Sequence, residues 1–252
     1  MNNSKSIKTQ SIKNWRILTL CLVALVVFAV GISLFLPESG HRRDVRRLQC
    51  MNNIRNLGIA NHNYASQNHG ALPISYSLDA QGNRLLSWRY SLLDLLDNAA
   101  LKRLIDPEKP WDSETNRDYS ETQITVFICP TDSEIPENGS SYFTITGDET
   151  LFPEGPSVTL DQISEADGMT NTLMLTEAAD MDISWLEPRD IPFSAVNKSP
   201  QDMKGIGPSS HHEGFNIFYT DGHAKLTSKD IDPKVLRALI TWNGGEKVPE
   251  EF

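Results

Sequence analysis

The stretch from Ser209 to His223 reads SSHHEGFNIFYTDGH, and its last 13 residues hold His211, His212, Glu213, Asp221 and His223. Imidazole and carboxylate together suit Zn2+ or Mn2+. One reading is therefore a divalent metal site on His211 and Asp221, with His212 or His223 as a further ligand. A second is a catalytic His–Asp pair. No HExxH or comparable ligand spacing supports the first, and no Ser or Cys nucleophile motif accompanies the second. The third reading is structural, and the residues favour it. Apolar runs Phe215 to Tyr219 and Ala224 to Leu226 flank Asp221-Gly222. A D-G pair so placed signals a β-hairpin, because Gly tolerates positive φ. His211 and Asn216 would then hydrogen-bond nearby backbone. No catalytic residue, metal or cofactor is assigned.

Cys50 and Cys129 are the only cysteines outside an apolar run that holds Cys21. In an exported domain such a pair oxidises where geometry allows, and a bridge would tie a long helix to the first strand. The alternative is two buried free thiols. No C-x-x-C suggests redox catalysis. Asp167 to Thr172, DGMTNT, offers oxygens for calcium but lacks the D-x-D-x-D-G pattern, so a turn into a strand is expected. Trp88 and Trp111, with Pro110, are expected to cap a core rather than bind a sugar. Glu177, at the end of an apolar strand, is a candidate partner for Arg89.

The elements that must carry these residues follow from periodicity. Residues 41–66 place Val45, Leu48, Met51 or Ile54, Leu57 and Ala60 at helical spacing. Residues 67–75 are turn-like. Leu85 to Ile105 has apolar residues at helical 3–4 spacing, and Asp106 to Ser120 is a loop rich in Pro, Asp and Asn. Ile124 to Ile128, Tyr142 to Ile145, Thr172 to Leu175 and Phe215 to Tyr219 are short strand candidates, separated by turn-forming residues. Asp232 is an N-cap and Pro233 suits the first turn of a helix reaching Ile240, which Gly244-Gly245 stops. Helices first and strands after predict an α+β fold, a long amphipathic helix packed on a mainly antiparallel β-sheet.

Ile17 to Leu36 is 20 residues without a charge. As a helix it spans about 30 Å, the thickness of a bilayer core. It is longer than a typical signal-peptide core and no A-x-A site follows, so an uncleaved transmembrane anchor is expected. Bases flank both ends, Lys5, Lys8, Lys13 and Arg16 before and Arg42, Arg43, Arg46 and Arg47 after. The orientation favoured is a basic cytoplasmic tail (1–16), an anchor (17–36) and an extracytoplasmic domain (41–252). The 252-residue chain has a net charge of −10. Residues 1–40 hold four bases and one acid, and the rest holds 19 bases and 32 acids. That acidic body argues against nucleic acid as a partner, since phosphate binding needs a basic face.

Several blocks, taken in order, resemble one family. Arg46 to Pro73 (RRLQCMNNIRNLGIANHNYASQNHGALP), Leu86 to Asp97 (LSWRYSLLDLLD), Pro110 to Asn116 (PWDSETN), Phe127 to Asp132 (FICPTD) and Asp167 to Ala178 (DGMTNTLMLTEA) are similar to successive segments of the large planctomycete family labelled domain of unknown function 1559. His211, nine residues, then Asp221-Gly222 resembles its C-terminal H-x9-DG signature, and Ile231 to Glu246 its usual ending. The resemblance covers about residues 42–246. It implies a type IV pilin- or pseudopilin-like protein with no established activity. One departure matters: the prepilin processing site, a Gly followed by Phe-Thr-Leu-x-Glu, is absent, because residues 11–16 read SIKNWR. A permanently anchored relative is therefore expected. It would be a single-pass, non-catalytic, structural or interaction protein of the cell envelope, with a surface or secretion-type assembly as its setting. Its expected partners are the lipid bilayer through 17–36, copies of itself and other envelope proteins. The alternatives are a cell-surface ligand- or glycan-binding module using Trp88, Trp111 or Trp185, and then a metal-dependent enzyme.

Overall fold

The structure is a computed structural model that describes residues 15, 19–28, 39–132, 135–179, 181–197 and 214–249. Two compact units divide the chain, Met1–Val45 and Arg46–Phe252. In the first, residues 19–28 of the expected anchor are helical, and Leu20, Leu22, Leu25 and Phe28 are exposed. The remainder of the 17–36 run lies outside the described residues. Among the described residues no helix is long and apolar enough to cross a membrane.

Helix α1, Ser39–Gln67, begins in the first unit and runs through the start of the second. Its buried seam is Cys50, Ile54, Leu57, Asn61 and Ala65, successive steps of three or four residues. The seam corrects the sequence reading. Val45 and Leu48, expected on the apolar stripe, are exposed, because they lie on a different side of the helix from the row that starts at Cys50. Gly58 is part of the contact surface: a Cβ there would meet the Phe218 ring at 2.2 Å.

A four-stranded antiparallel sheet receives α1. Its order is β3 (Tyr142–Phe143), β5 (Leu173–Glu177), β7 (Gly214–Tyr219) and β8 (Ala224–Ser228). β1 (Tyr76–Leu78) and β2 (Arg84–Ser87) form an antiparallel pair. β4 (Ile145–Thr146) and β6 (Ile191–Pro192) form a parallel one. Among the described residues the expected single sheet is thus three, and the mixed α+β, mainly antiparallel class holds. Every residue of β5 and β7 is buried, because both faces of the sheet are covered. Phe218, Met174 and Leu175 pack with Ile54 and Leu57 of α1. Phe215, Ile217 and Tyr219, on alternate positions of β7, pack with Leu236 and Leu239 of the C-terminal helix α3 (Pro233–Ile240). Asp232 caps α3 by accepting from the Lys234 N–H. Between β4 and β5, α2 (Leu160–Glu165) starts with a capping box in which Thr159 and Gln162 satisfy each other's backbone N–H groups.

The strand expected over Tyr142 to Ile145 is divided between β3 and β4, which lie in different sheets, and two further expected elements are replaced. Leu85 to Ile105 is not one helix. It is the end of β2, a helical turn Trp88–Ser91, a 3-10 turn Leu93–Leu96 and a further turn Ala99–Lys102. The Ser87 hydroxyl accepts from the Arg89 N–H, which delays the helix start, and Asp97 takes a left-handed conformation (φ 59°) that ends the second turn. Ile124 to Ile128 is not a strand but the 3-10 turn Thr125–Phe127. A short apolar run fits a buried turn as well as a strand. Here Phe127 plugs the core and stacks on Trp185 at 5.9 Å.

Candidate functional site

The hairpin proposed from sequence joins β7 to β8 through Thr220, Asp221 and Gly222. The Gly222 N–H donates to the Tyr219 carbonyl at 3.0 Å, and the Tyr219 N–H donates to the His223 carbonyl at 2.9 Å. Gly222 has φ +100°, the positive φ that the third residue of such a loop requires. The Asp221 carboxylate accepts from the His223 N–H at 3.0 Å and lies 2.6 Å from His223 Nδ1. The His223 ring stacks on Tyr219, with centroids 4.2 Å apart. Burial, reinforced by the Asp221 charge, pushes the Tyr219 hydroxyl up to about 12, against the Thr227 hydroxyl beside it. His211, the other half of the signature, and His212 lie outside the described residues.

His62 of α1 meets the same turn. Its ring meets Phe218 edge-on at 6.2 Å. Desolvation lowers its pKa, while the Thr220 backbone and the Asp221 charge act in the opposite direction. Sequence reasoning missed this residue. The available signal was its place four residues after Gly58, beside the buried seam.

The turn is anchored from below by Asp167–Thr172, the segment weighed for calcium. Asp167 accepts the Gly244 and Gly245 N–H groups at 2.8 and 2.9 Å. Thr172 accepts from the Thr220 N–H and hydroxyl, both at 2.9 Å. The Asp167 carboxylate thus serves backbone amides, as a turn needs.

A second polar constellation lies inside the core. Arg89, fully buried, forms a two-pronged pair with Asp190, Nη2–Oδ1 2.9 Å and Nη1–Oδ2 3.2 Å. Arg89 also donates to the Ser87 hydroxyl and the Tyr142 carbonyl. Asp190 also accepts from the Trp88 indole and the Thr144 N–H. Burial pushes the Asp190 carboxyl above its ordinary range, and the Arg89 charge opposes that. The partner expected for Arg89, Glu177, goes elsewhere: its carboxylate accepts from the Asn216 N–H at 2.8 Å and the Asn216 side-chain amide at 3.0 Å. Asp190 was not foreseen, because 101 residues separate it from Arg89.

The Cys50 and Cys129 sulfurs are joined in a disulfide, with Cα atoms 4.9 Å apart. It links α1 to the loop after the 3-10 turn, not to a strand. Closing a loop of this length stabilises the fold by about 4 kcal/mol in the chain-entropy account. Of the aromatics considered for a binding surface, Trp88 and Trp185 are fully buried and Trp111 is half-buried against the core. The first two cannot form a glycan platform, because their rings are spent on packing.

Residues 41–162 match the model of a family described as protein of unknown function (DUF1559). Over that segment, just under half of the chain, the sequence is similar to the DUF1559 family. The segment carries α1, the Arg89 turn, Cys129 and β3–β4, whereas Asp190, Glu177 and the hairpin lie beyond it. No curated protein and no solved structure matches the chain.

Proposed function

We propose that this chain is a non-catalytic, pilin-like structural or interaction protein of the cell envelope. Residues 17–36 hold it in the membrane as a single-pass anchor, with 1–16 cytoplasmic and 41–252 outside. The observation that carries this reading is the pairing of a 29-residue helix seated on an antiparallel sheet with an uncharged 20-residue stretch just before it in the sequence. A helix only half covered by its own domain has a face for neighbours. In the second unit Leu48 and Ile59 of α1 are exposed by 64% and 53%.

Self-association through that face is testable by disulfide crosslinking in membranes. Leu48→Cys and Ile59→Cys, each in a Cys21→Ala background, should give dimer bands on mild oxidation. An exposed site elsewhere, Leu104→Cys, should not. Equal crosslinking at all three sites, or none at any, would contradict assembly through α1.

A further inference from the structure

The Cys50–Cys129 disulfide has a buried carboxylate beside it. Glu177 of β5 is 1% exposed, and one of its oxygens lies within 4.8 Å of both sulfurs. Three separate segments, α1, the loop at Cys129 and β5, thus bring two sulfurs and an oxygen to one buried point. We propose that, once the disulfide is reduced, Cys50, Cys129 and Glu177 form a site for a thiolate-accepting divalent cation such as Zn2+, and that oxidation of the two thiolates expels the ion.

Ligand chemistry and electrostatics both carry this. Zinc takes thiolate at about 2.3 Å and carboxylate at about 2.0–2.2 Å in a tetrahedral set. Ligand atoms in such a set are therefore roughly 3.5–4 Å apart, so the carboxylate, within 4.8 Å of both sulfurs, is near enough to share an ion with them once they part. The sulfurs must separate on reduction, and the short Cα–Cα distance leaves that to side-chain rotation and a small backbone shift. The carboxylate is already oriented, because the Asn216 N–H and side-chain amide both donate to it. Such outer partners are what fix a metal ligand's position. In the oxidised form the two sulfurs carry no charge, and the Glu177 carboxylate lies beside them. Reduction to thiolates would place three negative groups together out of water, a state that a divalent cation relieves. Two hydroxyls lie beside the cluster: the Thr131 hydroxyl is 2.9 Å from Cys129 Sγ, and the Tyr142 hydroxyl donates to the Cys50 carbonyl.

The exchange balances with a dithiol as reductant. Protein disulfide, dithiol and Zn2+ give the zinc-bound protein dithiolate, the reductant's disulfide and two protons. Two electrons pass from the dithiol sulfurs to Cys50 and Cys129. The reverse reaction, with a small-molecule disulfide as oxidant, releases the metal.

The test uses the full chain in detergent, oxidised or reduced with a phosphine, exposed to Zn2+ and desalted. Elemental mass spectrometry should find about one zinc per chain in the reduced protein and almost none in the oxidised one. Co2+ in its place should give thiolate-to-metal charge-transfer absorption in the reduced protein alone. Glu177→Gln, which keeps both thiols, should weaken zinc binding at least tenfold, and Cys50→Ser should abolish it. Circular dichroism monitors folding throughout. A reduced, folded wild type without zinc would overturn the proposal. So would a reduced chain that unfolds and is not refolded by zinc, or undiminished binding by Glu177→Gln or by the oxidised form.

Discussion

Arg89 and Asp190 set the stakes at the scale of single residues. Both are buried, so removing one partner strands a charge out of water. Asp190→Asn should destabilise the domain by about 3–5 kcal/mol, read as a lowered midpoint of urea unfolding. A change within about 0.5 kcal/mol, as at ordinary surface sites, would mean that the pair contributes nothing distinctive. His62 gives a pH dependence. Its folded-state pKa is depressed by burial. The stability that depends on its neutral form is therefore full above the unfolded value near 6.5 and is lost as pH falls through the lower folded value. His62→Gln should flatten the fall in stability between pH 7 and pH 5, and an unchanged slope would contradict this. Little of the chemistry at this scale was legible in the sequence. Asp221-Gly222 announced its turn because turn geometry is local. Arg89 could not announce Asp190, nor Glu177 its bond to Asn216, because those contacts exist only once the sheet is assembled.

At the scale of elements, the meeting of α1 with β7 depends on Gly58. Gly→Ala within a helix normally gains about 1 kcal/mol. Here the added methyl would enter the Phe218 ring, and overpacking typically costs about 1–3 kcal/mol. Gly58→Ala should therefore destabilise, and Phe218→Leu in the same chain should recover part of the loss. A more stable Gly58→Ala would show that the helix does not sit this close. Elements with clear local signals were readable: α1, α3, β5 and the β7–β8 hairpin appear where their patterns place them. The misread runs are those whose composition suits more than one conformation. Leu85 to Ile105 and Ile124 to Ile128 contain enough Leu, Ile and Phe to suit several conformations. The cap at Ser87, the left-handed Asp97 and the slot for Phe127 decide among them. The stripe on α1 was displaced for a related reason. Apolar Val45 and Leu48 looked like core, while the seam instead uses Cys50, Asn61 and small Ala65.

Across the whole molecule, an acidic α+β domain, similar over residues 41–162 to the DUF1559 family, follows an uncharged stretch at residues 17–36. The disulfide fits an oxidising compartment. Its proposed metal-binding reduced form would belong to the chain before oxidation. The central claim is the single-pass anchor with the large domain outside. The most direct measurement is alkaline carbonate extraction of membranes carrying the C-terminally tagged full chain, followed by protease treatment of intact cells whose outer layers have been opened. The account predicts that the chain stays with the membrane pellet, that external protease removes the tag, and that deleting 17–36 releases the protein into the soluble fraction. A full chain that extracts into the carbonate supernatant, or a tag that external protease cannot reach, would contradict it.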